Sequence, residues 1–142
     1  MHGINESLEF IPVRIAVLIV SDTRTTETDT SGSLLADRIR SAGHEVADHR
    51  IVRDDVTAIR SAVSAWIADP EIDIVISSGG TGLTGRDVTP EAITPLFEKT
   101  IDGFSVIFHQ VSFQSVGLST LQSRAVAGLA GGTFIFCLPG SN

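Results

Sequence analysis

A chain of 142 residues with a net charge of −7, 42% hydrophobic and 19% charged residues has the size and composition of one globular domain. The excess of acidic residues and the lack of any lysine or arginine run argue against nucleic acid and an anionic membrane surface as partners. A single cysteine excludes an internal disulfide and a zinc site built from several cysteines.

The first predicted element is a buried strand from Val13 to Val20, in which the residues from Ile15 onward are all aliphatic. Its apolar run is far shorter than the ~20 residues that a membrane-spanning helix needs. No signal-peptide cleavage pattern follows it. We therefore expect a cytoplasmic protein without a transmembrane segment.

Helices and strands then alternate along the chain. Ser31 is predicted to cap a first helix, which stops at Gly43. The more polar segment His44 to Val52 is typical of a strand near the edge of a sheet. A second amphipathic helix follows Asp55, and a second buried strand spans Ile72 to Ser77.

A glycine-rich loop follows this strand. It runs from Ser78 to Thr89 and has glycines at positions 79, 80, 82 and 85. Glycines let backbone N–H groups turn toward an anion, and the helix predicted to start with Thr89 as its cap and Pro90 adds a positive dipole end. The loop therefore predicts a phosphate site, with an ordinary glycine-rich connection as the alternative.

Two familiar phosphate-binding motifs do not explain this loop. Gly80–Gly85 satisfies G-x-G-x-x-G, but a dinucleotide fold places that motif after its first strand, with the helix opening inside it. A P-loop is excluded because Arg86 and Asp87 stand where lysine and serine or threonine are required.

Three aspartates are predicted to meet this loop at the carboxyl ends of strands. Asp22 follows the first strand, Asp54 follows the edge strand, and Asp87 lies within the loop. A carboxylate beside a phosphate is repulsive unless a metal ion lies between them, so the pattern suggests a Mg²⁺–nucleotide site. Each aspartate alone could equally be a helix cap or a solvated loop residue. Arg86 could clamp a phosphate or remain a surface side chain.

From Gly103 to Asn142 the only charged residue is Arg124, so part of this stretch is predicted to be core and part a subunit interface. The apolar helix from Phe104 to Ser115 is expected to pack one face on the sheet. Val106 and Phe113 lie off that face and would be covered by another chain. The sheet-facing residues would be Phe104, Ile107, Phe108 and Val111.

A hairpin is predicted at the end of the chain. Ala125–Ala130 and Thr133–Leu138 would be its strands, with Gly131 and Gly132 as its turn. The sequence therefore predicts an α/β fold, a three-layer α/β/α sandwich with a mostly parallel sheet and one antiparallel pair.

The segments Ser77–Gly82 and Arg86–Ala92 resemble the signature of molybdopterin adenylyltransferases, the B-type molybdenum cofactor biosynthesis proteins related to the gephyrin G domain. Leu121–Gly128 and Phe136–Ser141 also fit, as does Phe10–Pro12 followed by a strand and Ser21-Asp22. The resemblance covers about residues 9–142, so residues 1–142 would form a single molybdopterin-binding domain. Family members continue past the Pro-Gly-Ser turn into a C-terminal helix, which is expected to be missing from residues 1–142.

The resemblance implies adenylylation of molybdopterin by Mg-ATP, with release of pyrophosphate. By position, Asp54 and Asp87 match the two functional aspartates of the family and are expected to be catalytic and to hold Mg²⁺. The implied ligand contacts are Asp22, Ser78, Gly79, Gly80, Thr81, Gly82, Ser123 and Ser141. The implied protein partners are other copies of the chain, in a trimer or hexamer, and the enzyme that inserts molybdate.

Two other functions stay open at this point. The first is a non-catalytic protein of the same pathway that binds a pterin or a nucleotide. The second is a nucleotide-processing domain of the competence-damage type, against which the lack of a second domain argues. The presence of both Asp54 and Asp87 favours the enzyme.

Overall fold

The computed structural model describes residues 7–140, which form one six-stranded sheet with helices on both faces. The strands lie in the order β2-β1-β3-β6-β5-β4. In chain order the elements are β1 (Arg14–Val20), α1 (Thr30–Ser41), β2 (Glu45–Val52), α2 (Val56–Ile67), β3 (Ile74–Ser78), α3 (Thr89–Ile93), β4 (Lys99–Thr100), α4 (Asp102–Val116), β5 (Val126–Ala130) and β6 (Thr133–Leu138).

The sheet is parallel in its centre and antiparallel at one side. β1 pairs in parallel with β2 and β3, and β3 pairs in parallel with β6. β5 and β6 form the antiparallel hairpin, with Gly131 and Gly132 at φ +57° and +86° in its turn. The predicted fold class and the edge position of β2 are confirmed.

The core has two parts, one on each face of the sheet. α2 and α3 cover the face that carries Leu18, Val75 and Ile135, all fully buried. α1 covers the other face, which carries Val17 and Ile19. Helices on both faces make the three layers that the alternating elements predicted.

Cys137 lies on the α2 side of β6 and is buried. Burial raises the pKa of its thiol to about 11, so the thiol stays protonated at neutral pH. Cys137 is therefore a small core residue.

The prediction that Ser31 caps α1 is wrong by two residues. Asp29 is the N-cap, and its carboxylate accepts a hydrogen bond from the backbone N–H of Gly32 at 2.7 Å. A carboxylate and a hydroxyl are both good caps, and the polar run that precedes α1 offers several of each. A tertiary contact distinguishes Asp29 from the others, since its Oδ2 lies 3.1 Å from Nε2 of His49 on β2.

The predicted orientation of α4 is also partly wrong. Phe104 faces the sheet and its ring lies 5.3 Å from that of Phe136, but Ile107 and Val111 are 58% and 62% exposed. The inward side of α4 instead carries His109, whose Nε2 lies 2.9 Å from the carbonyl oxygen of Ser123. Ser123 directly follows the 3₁₀ segment Gly117–Gln122, which also contacts α4 and which the hydrophobic pattern did not predict.

No helix within the described residues is long and apolar enough to cross a membrane.

Candidate functional site

The glycine loop lies at the carboxyl end of β3, where Thr89 holds it. The buried hydroxyl of Thr89 donates to the carbonyl oxygen of Gly79 at 2.9 Å, and the Thr89 N–H donates to that of Gly80 at 3.0 Å. Thr89 was predicted to cap α3, but α3 has no side-chain cap. Its hydroxyl closes the loop instead, which fixes the backbone of Gly79 and Gly80.

Gly79 and Gly80 must both be glycine. Their φ angles are +106° and +72°, a region that side chains rarely adopt. A Cβ on Gly79 would lie 2.3 Å from the carbonyl oxygen of Val20, and one on Gly80 would lie 2.2 Å from Oγ1 of Thr89. The loop backbone is therefore in close contact with both β1 and α3.

Asp87 is fixed within this loop by its neighbour Thr84. The Thr84 N–H and hydroxyl donate to Oδ2 of Asp87 at 3.0 and 2.6 Å. The hydroxyl bond, with further help from Arg86 and Arg124, lowers the pKa of Asp87, so its carboxylate is ionised at neutral pH. A Cβ on Gly82 would lie 2.7 Å from Oδ2, so the carboxylate lies directly against the glycine loop.

Asp54 approaches the loop from β2. It does not cap a helix, because Asp55 caps α2 by accepting from the N–H of Ala58 at 2.8 Å. Its Oδ1 lies 3.4 Å from the position that a Cβ on Gly80 would occupy. Asp54 and Asp87 therefore lie beside adjacent parts of the loop.

Asp22 contacts Asp54 from the end of β1. Oδ1 of Asp22 accepts a hydrogen bond from the Asp54 N–H at 3.0 Å. Burial and the negative charges of Asp22 and Asp87 raise the pKa of Asp54, and Arg86 opposes them. The three aspartates that the sequence placed at strand ends thus share one electrostatic environment.

Arg124 holds the two ends of the loop together. Its N–H, Nε and Nη2 donate to the carbonyl oxygens of Thr81, Gly82 and Asp87, at 2.8, 2.9 and 2.8 Å respectively. Its guanidinium also pairs with Glu91 of α3. Sequence reasoning gave Arg124 no role, although one charge in a forty-residue uncharged stretch was a signal.

A cleft of about 320 Å³ opens between the glycine loop and the 3₁₀ segment. Ser119 and Gln122 of that segment were missed because it carries no periodic pattern. The buried hydroxyl of Ser123 has no hydrogen-bond partner among the described residues, so the cleft contains an unused polar group. The lining residues are Gly79, Gly80, Thr81, Gly82, Asp87, Ser119, Gln122, Ser123, Pro139 and Gly140.

Three predicted site residues are not among those that line the cleft: Asp22, Asp54 and Ser78. Asp22 and Asp54 are joined by the hydrogen bond described above. Ser78 is buried beside the cleft, and its hydroxyl donates to the carbonyl oxygen of Pro139 at 3.2 Å. Ser141 lies outside the described residues. The loop glycines, Thr81, Ser123 and Asp87 do come together.

The arrangement of the aspartates limits how a metal ion could be held at this site. Among residues 7–140, no group of three His, Cys, Asp or Glu side chains is arranged to hold a metal by itself. Mg²⁺ commonly takes only one or two carboxylates and completes its coordination with phosphate oxygens and water. Asp54 and Asp87, which lie beside the glycine loop, fit that pattern.

Comparison with known proteins identifies the family. The family model described as "Probable molybdopterin binding domain" matches residues 16–142. The chain belongs to this family. The chain is also 53% identical over 135 residues to molybdenum cofactor biosynthesis protein B of Escherichia coli strain K12, covering 95% of the chain and 79% of that relative.

Solved structures of this family share the fold. A crystal structure of molybdenum cofactor biosynthesis protein B has a TM-score of 0.89 and 43% identity, over 92% of the chain and 82% of that structure. The tungsten cofactor synthesizing protein MoaB of Pyrococcus furiosus has a TM-score of 0.75 and 34% identity, over 92% and 83%. The resemblance seen in the sequence motifs is confirmed.

Proposed function

We propose that this protein acts in molybdenum cofactor biosynthesis, binds molybdopterin and transfers the adenylyl group of ATP to it. The observation that carries the proposal is the pair Asp54 and Asp87 beside a glycine loop that opens into a cleft. The pathway is supported by the names of the relatives in Escherichia coli and of the solved structure.

The transfer requires no nucleophile from the protein. An oxygen of the molybdopterin phosphate attacks the α-phosphorus of ATP, and a new P–O bond forms. The bond from the α-phosphorus to the oxygen that bridges to the β-phosphate breaks, and its electron pair leaves with pyrophosphate. The other product is molybdopterin-AMP. The task of the protein is positioning and charge stabilisation.

The residues of the cleft divide this task. Gly79 and Gly80 lack side chains, so phosphate oxygens can approach the loop backbone closely. Asp87 is already fixed by Thr84, so its carboxylate needs no reorganisation. The Ser123 hydroxyl is left to bind a polar group of a substrate.

Asp54 and Asp87 are the residues that would hold Mg²⁺. When bound, Mg²⁺ supplies positive charge that offsets the charge of the phosphate oxygens. Burial raises the pKa of Asp54 most, and the negative charges of Asp22 and Asp87 raise it further. The part due to these two charges supports the assignment, because a cation would relieve their repulsion.

Two partners complete the proposal. An oligomer of identical chains would cover exposed apolar residues of α4, and family resemblance suggests a trimer or a hexamer. Molybdopterin-AMP is an activated product, which the enzyme that inserts molybdate would consume. We also propose a cytoplasmic location.

The test is incubation of the protein with molybdopterin and Mg-ATP, followed by chromatographic detection of molybdopterin-AMP and pyrophosphate. Formation of both in equal amounts is expected, and chelation of divalent cations should stop it. Tight binding of both substrates without turnover would instead favour the non-catalytic protein of the same pathway.

A further inference from the structure

A second cavity lies behind the glycine loop, on the side away from Asp87. Its volume is about 210 Å³. It shares Gly79 and Gly140 with the cleft, while its other lining residues are different. We call it the arginine pocket, lined by Ile19, Val20, Ser21, Arg24, Ser31, Ser78, Gly79 and Gly140.

The charge of this pocket is opposite to that of the cleft. Arg24 contributes the only formal charge among its lining residues. Three acids lie within five residues of Arg24 along the chain, Asp22, Glu27 and Asp29, and none of them lines the pocket. Asp22 accepts from the Asp54 N–H, and Asp29 caps α1. The pocket is therefore cationic, in a protein with a net charge of −7.

The guanidinium of Arg24 is held in place with part of its donor capacity unused. Its Nη1 donates to the carbonyl oxygen of Thr28 at 3.0 Å and to the hydroxyl of Thr30 at 2.7 Å. Its Nε and Nη2 make no hydrogen bond within residues 7–140, and the side chain forms no ion pair there. A guanidinium fixed on one side and open on the other is suited to an oxyanion.

Hydroxyl groups and a thin backbone wall complete the pocket. Ser21, Ser31 and Ser78 make its wall polar. The hydroxyls of Ser31 and Ser78 donate to the carbonyl oxygens of Gly140 and Pro139, so the guanidinium of Arg24 is the donor that remains for an anion. A Cβ on Gly140 would lie only 3.1 Å from the Cα of Gly79, so the two glycines are in contact. One layer of glycine backbone thus separates the arginine pocket from the cleft.

We infer that the arginine pocket binds a phosphoryl group of a substrate through Arg24, while the cleft binds the part of that substrate or its co-substrate next to Asp87. A transfer between two phosphorylated molecules requires two phosphate sites, and only one of these two cavities has its own positive charge. The choice between a phosphoanhydride and a phosphate monoester as the ligand rests on the proposed function, but anion binding by Arg24 does not.

The test measures binding without turnover. Isothermal titration with inorganic pyrophosphate and with inorganic phosphate, at constant ionic strength, compares the wild type with Arg24→Gln. Arg40→Gln is the matched control, because Arg40 lies on the exposed side of α1 and loses the same charge. Arg24→Gln should weaken one anion roughly ten- to hundredfold, and Arg40→Gln should change neither.

A second measurement uses the wild type alone, since Arg24 also holds the loop before α1. Phenylglyoxal modifies exposed guanidinium groups, and mass spectrometry reports the extent at each arginine. The anion that binds should protect Arg24 and leave Arg40 as reactive as before. Equal reactivity of Arg24 with and without both anions would overturn the inference, as would equal affinities in the two variants.

The source of the phosphoryl group follows from further titrations. If Arg24→Gln weakens pyrophosphate and ATP but leaves AMP unchanged, the pocket binds the β- and γ-phosphates of a nucleotide. If it weakens phosphate and leaves pyrophosphate unchanged, the pocket binds a phosphate monoester. Either pattern supports the pocket even when no molybdopterin-AMP forms, so failure of the proposed function is distinguishable.

Discussion

Asp87 combines a fixed position with a full negative charge. Both hydrogen bonds from Thr84 end on its Oδ2, so Oδ1 remains for a cation or a substrate. Asp87→Asn keeps an oxygen for Thr84 but removes the charge. We expect adenylylation to slow by roughly a hundredfold or more, the size typical of a lost electrostatic contact in the transition state.

The readout is the rate of molybdopterin-AMP formation, with circular dichroism as the control for folding. A folded Asp87→Asn protein with unchanged turnover would contradict the role given to this carboxylate.

The negative charge of Asp22 contributes to the raised pKa of Asp54, and it can be removed without disturbing the Asp54 backbone. Asp22→Asn keeps an oxygen that accepts from the Asp54 N–H, but it loses a negative charge. Loss of a like charge favours the ionised form, so the pKa of Asp54 should fall. It should stay above the ordinary value because burial, the first cause of the shift, is unchanged.

Carboxyl carbon shifts in a ¹³C NMR titration of the metal-free protein measure this pKa directly. Asp37→Asn, at an exposed position on α1, is the control of equal charge and should leave it unchanged. An Asp54 pKa that is the same in wild type and Asp22→Asn would show that the two carboxylates are not coupled.

At the scale of elements, Arg124 connects β5 to the glycine loop and to α3. Its loss would free the carbonyl oxygens of Gly82 and Asp87, which it binds together. Arg124→Gln should raise amide hydrogen exchange in residues 80–89 and lower kcat more than it raises KM, because the substrates keep their contacts while Asp87 is less well positioned.

Arg60 provides a matched control for this prediction. It donates to the carbonyl oxygens of Ala92 and Glu91 and so holds α3 without touching the loop. Arg60→Gln should therefore leave exchange in residues 80–89 unchanged. Equal amide hydrogen exchange in Arg124→Gln and Arg60→Gln would show that Arg124 has no specific role in holding the glycine loop.

The predicted elements show what a local pattern can and cannot establish. The β5–β6 hairpin follows from Gly131 and Gly132, whose freedom to adopt positive φ is a property of the residues themselves. β4 was missed because Lys99 and Thr100 form a strand only through pairing with Leu129 and Gly128, which lie far along the chain.

Some residues of the candidate site could be predicted from the sequence, and others could not. Asp22, Asp54 and Asp87 could be placed together because carboxyl ends of parallel strands meet at one edge of a sheet. The roles of Thr84 and Arg124 depend on the path of the loop, which four glycines leave unspecified in the sequence. Ile107 was predicted to face the sheet but is exposed, because the orientation of α4 depends on its packing against the 3₁₀ segment. Such tertiary packing cannot be seen in a local pattern.

At the scale of the whole molecule, α4 and the segment after it present a wide apolar surface. Soluble monomers rarely expose apolar patches of more than a few hundred Å², and association of identical chains is the common way to cover one. Its members, each more than half exposed, are Val106, Ile107, Val111, Phe113, Val116, Leu118 and Leu121.

Phe113→Glu places a charge on this surface and should dissociate the assembly. Light scattering at micromolar concentration should give a multiple of 15.0 kDa for the wild type and 15.0 kDa for the variant. Ile11→Glu is the control, since Ile11 is 73% exposed and lies outside α4. A wild-type mass of one chain would refute the oligomer, and a dimer would refute the trimeric or hexameric symmetry.

The two edge strands of the sheet have a consequence for solubility. Half of the residues of β2 are polar. One of them is Arg50, which pairs with Asp48 at 3.2 Å and lies over the ring of Trp66. β4 at the opposite edge is only two residues long, and both are exposed. Charged or very short edges give a foreign strand little to pair with, so the folded chain is protected against edge-to-edge aggregation and fibril growth.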